Sequence, residues 1–179
     1  MDTLTLAGAD TDLGARILKV NHAGENGAVH IYAAQILAAR WTAPRLVAGL
    51  QEFKSHEERH RALFEAELRR RGRPRCRSFA LCAFGGFVLG LVTGLLGRAA
   101  IAATTVADER VVLHHLQAQI VQLRAQDPAA VQAIVAIVAD EQRHHDELAA
   151  QAGGGFWVRL PEPVVAASTE TVIWLGMKF

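Results

Sequence analysis

Two Glu-x-x-His pairs, Glu57/His60 in "SHEERH" and Glu141/His144 in "DEQRHHDE", stand at matching places in two halves of this chain. A carboxylate and an imidazole three positions apart share one face of a helix, and a single such pair among charged neighbours is ordinarily surface ion pairing. The duplication changes that reading. Glu57 lies 32 residues after Glu25, and Glu141 lies 32 after Glu109. Pro44 follows Glu25 by 19 residues, and Pro128 follows Glu109 by 19. Any fold for this chain has to satisfy the same plan twice.

The stretches carrying the plan are rich in Ala, Leu, Glu, Gln and Arg, with five Pro and one Tyr in 179 residues. Helix is therefore favoured over sheet throughout, and the expected fold class is all-α. The first helix is expected from Asp12 to Trp41, with Leu18, His22, Glu25, Val29, Tyr32 and Ile36 on one stripe. A second opens at Pro44 and runs to Arg71, carrying Leu50, Phe53, Glu57, His60 and Phe64 in line, until Gly72 and Pro74 stop it. A third is expected from Ala99 to Gln126, a fourth from Pro128 to Gln151, and a short final helix in the tail "PEPVVAASTETVIWLGMKF". Residues 1–179 are read as a single domain with one core, residues 1–11 as a flexible lead and 72–98 as a crossover segment.

At about 1.5 Å per residue the chain climbs roughly 24 Å from Glu25 to its turn and descends roughly 20 Å to Glu57, so the two carboxylates sit at nearly one height on antiparallel helices. The same holds for Glu109 and Glu141. If the two hairpins pack as a four-helix bundle, Glu25, Glu57, His60, Glu109, Glu141 and His144 converge on one layer. One Glu from each of two helices and a Glu-x-x-His from each of the other two is the ligand set of a di-iron carboxylate site. Carboxylates stabilise the oxidised metal and bridge two ions, while imidazoles leave positions open for O₂. Six such groups in a core without metal would be costly, because buried charge must be paired or coordinated.

His56, His114, His115 and His145 adjoin these residues but lie off the register, and read as outer partners or surface groups rather than ligands. Asp108 and Asp140 each precede a ligand glutamate and are candidates to orient a histidine through its distal nitrogen, or else exposed charge. Tyr32, Phe53 and Phe64 read as core. A formal charge of +1 gives no global argument for nucleic acid, since the basic excess is confined to "RRRGRPRCR" at 69–77. Cys76 and Cys82 are too few for a disulfide framework, which points to free thiols in a reducing compartment. The N-terminus has neither a signal-peptide nor a transit-peptide pattern. Signals for a nucleophilic triad, a phosphate loop or a nucleotide fold are absent.

"ILKVNHAGENGAVHIYAAQ", the two Glu-x-x-His pairs, Glu109 ahead of the His114–His115 pair, and "VIWL" near the C-terminus together resemble the demethoxyubiquinone hydroxylases of ubiquinone biosynthesis. The resemblance runs over most of the chain. It implies a ferritin-like bundle, two iron ions, and hydroxylation of the demethoxyubiquinol ring with O₂, with the six Glu and His residues both metal-binding and catalytic. Two departures stand out: Asn21 where many members have Asp, and Leu116 where some have Tyr. The implied partners are the quinol, O₂, a membrane surface and other proteins of ubiquinone biosynthesis, with a homo-oligomer compatible. The competing readings are a ferritin-like iron oxidase or peroxidase without an organic substrate, and a non-catalytic lipid-binding bundle.

Residues 79–97 carry no charge, long enough by themselves to suggest a transmembrane helix. A span there would part the two halves of the ligand set by roughly 30 Å of hydrocarbon. The expectation is therefore a crossover packed through Gly85, Gly86, Gly90 and Gly94, its apolar side turned to lipid, with Arg69, Arg70, Arg71, Arg73, Arg75 and Arg77 facing anionic headgroups. This places the protein peripherally on a cell membrane, on the cytoplasmic side, in a bacterium.

Overall fold

The computed structural model describes residues 3–152 and, in the tail, Pro163, Val165, Ala167, Glu170, Thr171 and Trp174. Five helices follow one another: α1 Thr3–Thr42, α2 Val47–Arg70, α3 Phe79–Leu96, α4 Arg98–Leu123 and α5 Pro128–Ala152, and no strand occurs among the described residues. The fold is all-α, as expected. Three boundaries differ. The first helix starts at Thr3 rather than Asp12, because no proline interrupts residues 3–12 and each added residue gains a helical bond once a helix exists. Pro44–Leu46 form a 3₁₀ turn, so α2 proper starts at Val47. Helix α4 ends at Leu123, and residues 124–126 turn back toward α5. The six described tail residues are helical; Val172, Ile173 and Leu175 of "VIWL" lie outside the described residues.

The turns follow from local chemistry. Pro44 pushes the residue before it out of the α region, and Ala43 sits at φ −150°. Gly72 ends α2 at φ +63°, donating to Arg69 O at 3.0 Å while Arg73 N–H returns to Leu68 O at 2.9 Å. Asp127 opens α5 by accepting the Ala130 N–H at 3.1 Å, and also takes both arms of the Arg71 guanidinium at 2.5 and 2.8 Å. That fork joins the end of α2 to the start of α5. Arg71 is thus turned inward, not toward a headgroup, while Arg69 and Arg70 are paired with Glu65 and Glu67 on their own helix.

Helix α1 packs on α2 and α4 on α5, and contacts of α2 with α5 and of α1 with α4 close the bundle. The apolar core is divided. One cluster gathers Tyr32, Ile36, Leu50, Phe53, Ile101 and Leu148; the other gathers Ile17, Leu18, Phe64, Leu116, Ile134 and Ile137. Between them lies a buried polar layer.

Helix α3 lies along α1 and brings the chain from one hairpin to the other. Glycines at four-residue spacing make the approach possible. A Cβ on Gly86 would run into the carbonyl of Gly27, one on Gly90 into the carbonyl of Ile31, and one on Gly94 would stand 2.8 Å from the Ala38 Cβ. Gly85, expected to share this role, faces open space instead, because it lies off the 86-90-94 stripe. Side chains pin both ends: Asn26 Nδ2 donates to Phe79 O at 2.9 Å and Thr42 Oγ1 to Gly94 O at 2.6 Å. By length and composition α3 could cross a membrane. Its packing along α1 leaves the residues before and after it in one bundle.

Candidate metal centre

All six residues singled out by spacing meet in the polar layer, each at most 6% exposed. Glu25 comes from α1, Glu57 and His60 from α2, Glu109 from α4, and Glu141 and His144 from α5. They divide into two overlapping groups whose ligand atoms lie within 4.8 Å of one another: Glu25, Glu57, His60 and Glu141, and Glu57, Glu109, Glu141 and His144. Glu57 and Glu141 belong to both.

The distances show how the sharing is built. Glu57 turns Oε2 toward His60 Nδ1 at 3.6 Å and Oε1 toward His144 Nδ1 at 3.1 Å. Glu141 does the same, with Oε1 at 2.8 Å from His60 Nδ1 and Oε2 at 3.8 Å from His144 Nδ1. Glu25 reaches only His60, at 3.6 Å, and Glu109 only His144, at 3.6 Å. Yet Nδ1 of both histidines and Oε1 of Glu57 and of Glu141 make no hydrogen bond, although all are buried. They are close enough for hydrogen bonds but not aligned for them. Four orphaned buried donor atoms around one point cost free energy that a cation would recover, and the donor set fits two metal ions with two carboxylates in common.

The outer nitrogen of each histidine is held. His60 Nε2–H donates to Asp140 Oδ2 at 3.2 Å, so Asp140 plays the orienting role foreseen for it. His144 Nε2 meets His56 Nδ1 at 2.9 Å, and the two rings stack at 5.1 Å. These partners engage Nε2 of both rings and leave Nδ1 turned inward toward the carboxylates, the orientation a metal-binding histidine requires. Tyr32 OH donates to Glu109 Oε1 at 3.0 Å. His56 and Tyr32 were read from the sequence as an outer partner or surface group and as plain core. Their contacts bridge residues 88 and 77 positions apart, which no local pattern signals. His114 is exposed, and His115 and His145 are partly so; none of the three enters the cluster.

Burial in this layer pushes Glu25 and Glu141 up to about 8, and Glu57 and Glu109 also upward, with neighbouring carboxylates adding to the effect. For His60 burial works downward, but Glu141, Glu25 and Glu57 outweigh it and raise the imidazole. Every one of these folded values is raised. For Glu25 and Glu141 the metal-free layer is most stable below about pH 4.5 and loses that stability as pH rises through about 8, whereas for His60 the loss begins only above about pH 6.5.

A cavity of about 550 Å³ leads away from the layer. Glu25, Glu57, Glu109 and Glu141 border it at one end, and α3 supplies an apolar wall through Leu81, Phe84, Val88 and Val92. Asp108 lines this cavity, and His115 also borders it.

Across residues 12–176 the sequence matches the family described as "Ubiquinone biosynthesis protein COQ7". The chain belongs to this family. Among its relatives, the 3-demethoxyubiquinol 3-hydroxylase of Ralstonia pickettii (strain 12J) is 35% identical over 160 residues, covering 89% of this chain and 70% of the relative. The NADPH-dependent 3-demethoxyubiquinone 3-hydroxylase, mitochondrial, of Homo sapiens is 34% identical over 151 residues, covering 82% of this chain and 66% of the relative. A protein of the same name from Dictyostelium discoideum is 33% identical over 175 residues, covering 91% and 76%. The family assignment and the bundle agree with the resemblance drawn from the HAGE motif and the paired Glu-x-x-His.

Proposed function

We propose that this chain is a di-iron hydroxylase of ubiquinone biosynthesis that adds one oxygen atom from O₂ to the ring of demethoxyubiquinol. The reaction class follows from the family and the names of its relatives. The observation that carries the iron reading is the pair of inward Nδ1 atoms without hydrogen bonds, facing two carboxylates common to both groups. Iron held by Glu25, Glu57, His60, Glu109, Glu141 and His144 would supply the redox chemistry and the O₂ site that these side chains lack.

The chain's own contribution is arrangement. Glu57 and Glu141 fix the spacing of the two halves, Asp140 and His56 orient the imidazoles, and Tyr32 fixes the rotamer of Glu109. The cavity admits an aromatic ring at its carboxylate end, and α3 gives it an apolar wall. An iron oxidase without an organic substrate has no use for such a wall, and a lipid-binding scaffold has none for a complete donor set.

The quinol is membrane-borne, and α3 suits a membrane surface. Its side chains away from α1 are apolar and open, with Phe84 69% and Leu95 62% exposed, and Trp41 stands exposed at the Leu95 end. Arg73, Arg75 and Arg77 precede it, Arg75 with its guanidinium 5.0 Å from the Phe79 ring. With Arg71 bound to Asp127 and Arg69 and Arg70 paired along their own helix, Arg75 and Arg77 are the basic residues offered here to anionic headgroups, each worth about 1 kcal/mol near the surface. The reading is one-sided, peripheral attachment on the cytoplasmic face of a cell membrane.

In a bacterial strain lacking its own hydroxylase of this family, expression of this chain should clear accumulated demethoxyubiquinone from extracted lipids. Persistence of that quinone beside folded, iron-loaded protein would overturn the substrate assignment.

A further inference from the structure

We propose that the carboxamide of Asn21, clamped by Gln119, is the polar subsite that grips a ring hydroxyl of the quinol; this rests on the hydroxylase reading above. Asn21 lines the cavity four residues before Glu25, so the two share a face about 6 Å apart along α1. That separation can be bridged by one substituted ring. Asn21 Nδ2 donates to Gln119 Oε1 at 2.8 Å, and Gln119 Nε2 donates back to Asn21 Oδ1 at 3.1 Å. The pair ties α1 to α4, and Gln119 is buried.

A carboxamide has two N–H donors and two acceptor lone pairs. The reciprocal pair uses one of each, which fixes the plane of Asn21 and leaves it one N–H and one lone pair. Both of these groups are available at the cavity. Val20, Ala28, Val112 and Leu116 line the same cavity and are apolar, so the half-buried Asn21 amide is one of the few neutral polar groups a ring entering there would meet. A ring hydroxyl supplies both, because it accepts from the N–H and donates to the carbonyl. A ring methyl ether can only accept. Asn21 is neutral, so it makes this contact without adding charge beside Glu25.

The experiment compares two ligands on iron-free protein, by calorimetry under argon: a diprenyl demethoxyquinol and its di-O-methyl ether. Asn21→Leu should weaken the quinol about tenfold, the scale of one or two neutral hydrogen bonds, and leave the ether within about twofold. In the iron-loaded enzyme the same change should raise KM about tenfold with kcat little altered. Gln119→Leu, which removes the clamp, should give a smaller loss of the same selectivity. If Asn21→Leu folds poorly, Asn21→Ala carries the same comparison. Equal losses for quinol and ether, or none for either, would overturn the subsite while leaving the hydroxylase reading standing. Wild-type protein that binds neither ligand would instead remove the hydroxylase reading, and the subsite with it.

Discussion

Glu57→Ala is expected to lower metal content in both halves of the site and to reduce hydroxylation by at least about a hundredfold, the upper end of what losing even an outer partner of a ligand costs. The reason is geometric. Glu57 presents one oxygen to each histidine, so its loss removes a ligand from both groups, as does the loss of Glu141. Glu25 and Glu109 each face a single histidine, and Glu25→Ala or Glu109→Ala should therefore weaken one position more than the other. The helices should remain, because removing one buried carboxylate relieves repulsion among four in the metal-free layer. Metal analysis with circular dichroism checks this. Equal iron in Glu57→Ala and wild type would contradict the shared-carboxylate arrangement.

The paired change Leu95→Glu with Leu96→Glu is expected to release the protein from anionic vesicles, lowering partition by about a hundredfold or more. Each buried leucine side chain is worth about 1.5–3 kcal/mol, and 1.4 kcal/mol is a factor of ten. Both residues are more than half exposed and neither lines the cavity, so iron content should be unchanged. Leu89 is a poorer choice because it is partly buried and borders the cavity, mixing substrate and membrane effects. Cosedimentation at low and high salt measures the outcome. Undiminished binding would show that another face meets the lipid.

The plan of the site was legible because it is periodic. A 32-residue interval with a proline turn inside it fixes the height of two residues on antiparallel helices, so Glu25 with Glu57 and Glu109 with Glu141 needed only the rise of a helix. The crossover could be read for the same reason, since a span at 79–96 would have parted the ligands. What could not be read depends on side-chain rotation and on distant pairs. The His56–His144 and Tyr32–Glu109 contacts, and the reciprocal amides of Asn21 and Gln119, join residues far apart in sequence. The arginine run shows the limit of composition: six basic residues look alike in sequence, yet Arg71 is bound to Asp127, and Arg69 and Arg70 to carboxylates one turn away. Gly85 and Gly86 are likewise adjacent, and only the one on the 86-90-94 stripe meets α1.

The most direct test of the central claim is a single turnover with labelled oxygen. Protein loaded with about two ferrous ions per chain and mixed with a short-chain demethoxyquinol and ¹⁸O₂ should yield the hydroxylated ring carrying one labelled atom, read by mass spectrometry. Rapid oxidation of the iron with no label in the ring would contradict it and leave an iron oxidase in its place.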